Sequence, residues 1–188
     1  STTGSIEGLR QITTGTLVSL SEQELISCDT YDSGCNGGWM DDAFYWIGQN
    51  GGIPSEEAYP YTSGTTQVSG TCRTTLPPNQ PNTAPQNYVD VQGGSVSAMQ
   101  SAVDIGPVSI AVDATAFQSY TGGILSSNCG QTLDHGVLIV GYGSENGMDY
   151  WKIKNSWGTT WGEQGYIRVE ASSANLCGVL NAGTYPIF

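Results

Sequence analysis

The stretch Lys154-Asn155-Ser156-Trp157-Gly158-Thr159-Thr160-Trp161-Gly162-Glu163-Gln164-Gly165-Tyr166 decides how this chain reads. It begins at the end of one strand-like run, Tyr150–Asn155, and closes at the start of another, Gly165–Glu170. Twenty residues before Asn155 stands His135, the only histidine, in Leu133-Asp134-His135-Gly136. Imidazole has the ordinary pKa best suited to proton transfer near neutrality, although a lone histidine is more often structural. An asparagine at a strand end can orient an imidazole and hold the tautomer that a Cys–His pair needs. A tryptophan beside the pair can shield that bond from water. Standing alone, the tryptophans would read as core packing.

Outward from this stretch the pattern is strand-rich towards the C-terminus and helix-rich towards the N-terminus. Pro107–Asp113 and Gly136–Gly143 read as strands, with a short helix at Val96–Val103 before them. Thr62–Asn87 is loop, rich in Ser, Thr, Gly and Pro, including Pro77, Pro78, Pro81 and Pro85. Upstream of it, Met40–Gln49 is helical and stops at Asn50-Gly51-Gly52. Ser21-Glu22-Gln23-Glu24 is a capping box that starts another helix. Ser1–Thr13 reads as the back half of a longer helix, because so short a helix is marginal alone. The expected class is α+β with two unlike halves, residues 1–87 and 88–188, and no internal repeat.

Bulk properties exclude several functions. The 188 residues, 38% of them hydrophobic, are enough for a sizeable core. No apolar run approaches the roughly 20 residues that span a bilayer. Ser1-Thr2-Thr3-Gly4 has neither the basic nor the apolar region of a signal peptide. Seventeen acidic side chains against five basic ones give a formal net charge of −12. Such a surface repels phosphate backbones, so nucleic acid is not an expected partner. The charge fits simple solubility, or work in an acidic compartment where protonation relieves self-repulsion; composition does not choose. Five cysteines, Cys28, Cys35, Cys72, Cys129 and Cys177, lack a paired CxxC spacing, so no metal site is expected. In an oxidising compartment they imply two disulfides and one leftover, either a free thiol or one whose partner lies elsewhere.

Taken together these segments resemble the papain family of cysteine proteases. Asp134-His135-Gly136 with Gly141-Tyr142-Gly143 is similar to the region of that family's catalytic His. Asn155-Ser156-Trp157-Gly158 with Trp161-Gly162-Glu163-Gln164-Gly165-Tyr166 is similar to the region of its catalytic Asn. Ser21-Glu22-Gln23-Glu24-Leu25, Gly34-Cys35-Asn36-Gly37-Gly38 and the closing Tyr185-Pro186 match in the same order. The resemblance implies a papain-like two-lobe fold: a mostly helical left lobe at 1–87, incomplete, and a β-barrel right lobe at 88–188. It implies an endopeptidase of the cathepsin L-like type, with His135 as acid and base and Asn155 as its orienter. Trp157 would cover the pair, and Trp161 would line the leaving-group side. Gly37 and Gly38 would bind the substrate backbone as a strand-like rail. Trp39, Met40, Ala111, Leu133 and Ala182 would form the S2 pocket, all five apolar and suited to bulky apolar side chains, and Asp134 would be a further substrate-binding residue. Cys28 would pair with Cys72 and Cys129 with Cys177, leaving Cys35 unpaired in this chain. No cofactor is implied. The implied partners are polypeptide substrates and an inhibitory pro-segment. The implied location is extracellular or a lysosome- or vacuole-like acidic compartment.

One member of the expected constellation is absent. In the family, Cys-Gly-Ser-Cys-Trp-Ala-Phe-Ser opens a long central helix, and Ser1 aligns with its last Ser. The nucleophile is therefore expected four residues before Ser1, consistent with the family's spacing of about 130–150 residues from Cys to His. A missing N-terminal segment, or another chain, would complete the fold and accept Cys35. The alternative is a catalytically dead scaffold or binding subunit. Retention of His135, Asn155, Gly37, Gly38 and Cys35 favours the first reading.

Overall fold

Ile6 and Arg10, one helical turn apart, share the buried face of the first helix, α1 (Thr2–Thr14). Arg10 is buried without an acid partner; its guanidinium donates instead to Pro81 O (3.0 Å) and Thr16 O (2.6 Å). The computed structural model describes all 188 residues, Ser1–Phe188. Helix α2 (Glu22–Cys28) starts where its cap predicts: Ser21 Oγ accepts from Glu24 N at 3.0 Å. The reciprocal half of the capping box does not close, because Ser21 N donates to Pro54 O. Helix α3 (Met40–Gln49) buries Met40, Ala43, Phe44 and Ile47, the one-face spacing of an amphipathic helix. It stops as expected at Gly51, whose φ of +74° favours glycine. Within the predicted loop lies one turn, α4 (Ser63–Thr66), held by Gln23 Oε1, which accepts from Thr62 N and Ser63 N at 2.8 Å. Helix α5 (Val96–Val103) is capped by Ser95 Oγ accepting from Ala98 N.

The strands are β1 (Asn87–Asp90), β2 (Val108–Val112), β3 (Ile124–Leu125), β4 (His135–Glu145), β5 (Met148–Lys154), β6 (Tyr166–Glu170) and β7 (Gly183–Ile187). They form one sheet in the order β1-β7-β2-β4-β5-β6-β3. The barrel expected for the C-terminal half is an open sheet, with β1 and β3 at its two edges. The two-residue β3 pairs only with β6, in parallel, and has no second ladder with which to close the ring. The α+β character is as expected. Strands β1, β3 and β7 were not foreseen. Two of them are very short, and Gly183 and Pro186 make β7 read as non-strand.

The chain divides into two compact units: Thr2–Val89 with Pro186–Phe188, and Asp90–Tyr185 with Ser1. In the first, the core is built from Ile6, Leu20, Phe44, Ile47 and Ile53. The Cys28–Cys72 disulfide ties α2 to the Pro-rich segment. In the second, one sheet face carries Val108, Ile110, Val112, Val137, Ile139, Trp151, Ile153, Ile167 and Val169, with Met99 and Ala102 of α5 against it. In β5 and β6 these residues alternate with more exposed ones, the period-two pattern of a half-buried strand, whereas every residue of β2 is buried. The Cys129–Cys177 disulfide joins this core through the fully buried Cys177. No helix is long and apolar enough to cross a membrane.

Candidate active site

His135 is the first residue of β4, opposite Val112 of β2. The residue before it is pinned twice: Asp134 N donates to Val112 O (3.0 Å), and Asp134 Oδ1 accepts from Ala114 N (2.9 Å). Strand β5 runs antiparallel to β4 with Lys154 opposite Leu138, so the start of β4 lies beside the end of β5. That register brings together His135 and Asn155, twenty residues apart, with His135 Nε2 and Asn155 Oδ1 at 2.8 Å. Asn155 itself is held by its own N–H donating to Gly165 O.

The hydrogen bonds fix the chemistry of the ring. Ser156 N–H donates to Asn155 Oδ1 at 2.8 Å, so that atom is an acceptor and the amide cannot be turned over. The histidine nitrogen facing an acceptor must carry the proton. Neutral His135 is therefore the Nε2–H tautomer, and Nδ1 keeps the lone pair that can take a proton. The Asn155 amide nitrogen is buried and has no partner, so its oxygen alone does the orienting.

An aromatic layer covers this pair. Trp157 stacks on His135 with centroids 5.2 Å apart and planes at 25°. Trp161 meets Trp157 edge-on at 5.3 Å, and its Nε1–H donates to Phe117 O at 2.9 Å. Phe117 and Tyr120 pack against Trp161 from below. The sequence did not single out Phe117; its only signal was an apolar residue between two turn-rich segments. Gly162 makes the tight turn after Trp161 at φ +55°, and a Cβ there would lie 2.6 Å from Tyr166 O. Gly162→Ala is expected to lower stability by about 1–3 kcal/mol through backbone strain, measurable as a reduced denaturation midpoint.

The other expected site residues are divided between the two units. In the strand-rich unit Ala111 N donates to Ala182 O at 3.1 Å, so these two small residues are neighbours across β2 and the start of β7. Leu133 lies against Gly178, where a Cβ would come within 2.9 Å of its side chain. In the helical unit Gly37 has φ +101°, Trp39 caps α3 half-exposed, and Met40 is buried. Both expected disulfides are present, and Cys35 is free and exposed in a 3₁₀ turn at Gly34–Asn36. The sequence reading passed over Asp32, whose Oδ1 accepts from Trp39 N at 2.9 Å. An acid two residues before glycine signals a turn, but not which distant N–H it holds.

A family model described as papain family cysteine protease matches residues 1–187. Cysteine proteinase COT44 of Brassica napus is 49% identical over 193 residues, an alignment covering all of this chain and 57% of that protein. The chain spans about half the length of the curated relatives it matches. A bromelain protease from Ananas comosus, solved in complex with the E64 inhibitor, superposes with a TM-score of 0.91 at 38% identity. That comparison covers all of this chain and 86% of the other. A digestive procathepsin L 3 from Tenebrio molitor larval midgut gives a TM-score of 0.91 at 46% identity, covering all of this chain and 61% of that one.

Proposed function

Because this chain belongs to the papain family of cysteine proteases, we propose that it carries the proton-transfer half of a cysteine endopeptidase. The single observation that carries this reading is the bond from His135 Nε2–H to Asn155 Oδ1, locked by Ser156 N–H. It leaves Nδ1 as the one ring position free to exchange a proton with a thiol. Four of the five cysteines are joined in disulfides, and Cys35 belongs to the Gly-Cys-Asn-Gly-Gly loop signature. The reactive thiol is therefore assigned to a cysteine outside these residues.

In this mechanism Nδ1 takes the thiol proton, and the thiolate attacks the scissile carbonyl carbon. The imidazolium returns the proton to the leaving amine as the C–N bond breaks, which leaves a thioester. Water then adds with His135 as base; the C–S bond breaks and the thiol regains its proton. Asn155 acts throughout as a positioning residue, and Trp157 keeps water from its bond to the ring. Substrates are polypeptides: in the helical unit Gly37 and Gly38 offer a backbone rail beside Trp39 and Met40, and in the strand-rich unit Ala111, Leu133 and Ala182 offer small or apolar side chains suited to an apolar P2 residue. The procathepsin neighbour supports synthesis with an inhibitory pro-segment, and the two disulfides support work in an oxidising extracellular, vacuolar or lysosome-like compartment.

The test is labelling of the full-length protein with a thiol-directed epoxide, alongside a P2-varied peptide library. Stoichiometric labelling and a preference for Phe or Leu over Arg at P2 are expected. An intact, folded protein that neither labels nor cleaves any library member would instead be a scaffold or binding subunit. Ala182→Glu is expected to raise the Arg-to-Phe ratio of kcat/KM by about tenfold or more, since one desolvated charge-assisted contact contributes about 1.5–3 kcal/mol.

A further inference from the structure

The loop that precedes α3 contains an acid with an unusual task. Asp32 Oδ1 accepts the backbone N–H of Trp39, seven residues on, at 2.9 Å. Between them the loop is cinched by Ser33 N donating to Gly37 O (2.9 Å) and Gly37 N donating to Gly34 O (3.1 Å). The Asp32 side chain lies so close to Gly38 that a Cβ there would fall 2.1 Å from its carboxyl carbon. Asp32 thus supports the backbone of Gly37, Gly38 and Trp39 directly.

A second acid stands behind it. Asp29 Oδ1 accepts from Tyr31 N at 2.8 Å, while Asp29 Oδ2 is buried with no partner. The Asp29 and Asp32 side chains act on each other, as hydrogen-bond partners when one of them carries a proton. The charged groups acting on Asp32 are Asp29, from the segment after α2, and Asp42, from the first turn of α3. Both are acidic.

We propose that Asp32 is a positioning residue for the substrate-binding edge: it holds the Gly37–Gly38–Trp39 backbone through the Trp39 N–H, and a proton shared with Asp29 keeps that hold firm. This rests on the reading of Gly37–Gly38 as the substrate rail. With the proton present, Asp32 donates its O–H to the orphaned Asp29 Oδ2 and still accepts from Trp39. Without it, two carboxylates and Asp42 repel one another beneath the rail, and the loop relaxes. Burial, with repulsion from Asp29 and Asp42 adding to it, pushes the Asp32 carboxyl up to about 6, although its bond to Trp39 N pulls the other way. The rail is firm below that pH and loosens above it.

Asp32→Asn tests this with little change of shape. The amide can donate to Asp29 and accept from Trp39 at every pH, so it imitates the proton-sharing state. For the full-length wild-type protein, KM for a peptide substrate is expected to rise roughly 3–10-fold between pH 5 and 7.5, the worth of about one hydrogen bond. In Asp32→Asn the rise disappears, and the difference lies in KM rather than kcat. Asp32→Ala raises KM across the whole range. Independently of turnover, the amide NMR resonances of Gly38 and Trp39 titrate near pH 6 in the wild type and not in Asp32→Asn. A KM rise of the same size in both proteins, or an amide titration that survives in Asp32→Asn, overturns the proposal. An amide titration that Asp32→Asn abolishes, in a protein with no peptidase activity, upholds the latch and sinks only the endopeptidase reading.

Discussion

His135→Ala in the full-length protein is expected to lower kcat for peptide hydrolysis by roughly 10⁴-fold or more, with KM little changed. The size follows from how much one ring does. In the proposed mechanism it would remove the thiol proton, protonate the leaving amine and activate the deacylating water, and it is the one histidine among these 188 residues. The nearest orienting group, Asn155, offers only an amide, which cannot exchange protons near neutrality. Asn155→Ala should be milder. It removes one hydrogen bond to a ring that is charged during reaction, about 1.5–3 kcal/mol, or roughly 10–150-fold in kcat. The ring then loses its fixed tautomer as well as its aim. The double variant His135→Ala/Asn155→Ala should be no worse than His135→Ala, because Asn155 acts through the ring. Additive losses in that cycle would show that Asn155 has a separate role. Pre-steady-state acyl-enzyme formation is the cleanest measurement, since both residues act before the thioester forms.

Much of this site was legible because its information is local and ordered. Met40–Gln49 and Val96–Val103 are helices at the predicted bounds, since their apolar spacing, stop signals and caps agree. The four strands read from alternation in the C-terminal half are also present, with shifts of one or two residues at their ends. The His135–Asn155 contact was foreseen from a strand-end asparagine and a motif, but its tautomer was not. That needed Ser156 N–H, a backbone group that no residue identity encodes. The open sheet was missed because closure depends on whether distant edges meet, and β3 is too short to declare itself. Asp32 was missed for a similar reason: its partner is a main-chain N–H seven residues away. Glu24 was read as one arm of a capping box, yet its carboxylate makes no such bond, because Pro54 O has taken the Ser21 N–H.

That displaced carboxylate leads to the second large effect: unfolding free energy should fall by on the order of 3 kcal/mol as pH rises from about 4.5 to 7. Glu24 is fully buried, and neither oxygen has a hydrogen-bond partner. Burial pushes its carboxyl up to about 7, with Asn50 offsetting only part of the penalty. The sign follows from proton binding. The folded chain holds this proton more tightly than the unfolded chain, whose glutamate titrates near 4.5. The stabilisation is therefore complete below about 4.5 and is lost as pH climbs through 7. Burial raises Asp29, Asp32 and Glu56 in the same direction, so they add to the slope. Glu163 works the other way: its two-pronged bond to Arg168, both arms at 2.8–2.9 Å, lowers it, and its contribution is lost only as pH falls below the ordinary glutamate range. The two tendencies place maximum stability in mildly acidic solution, a choice that the net charge of −12 could not make alone. Glu24→Gln separates them. The amide is neutral at every pH, so the variant should lose less stability between pH 5 and 7.5 and melt roughly 5–10 °C above the wild type at pH 7.5. The residual slope belongs to Asp29, Asp32 and Glu56. Parallel curves of denaturation midpoint against pH for the two proteins would show that Glu24 is already ionised in the fold and that some other group carries the acid preference.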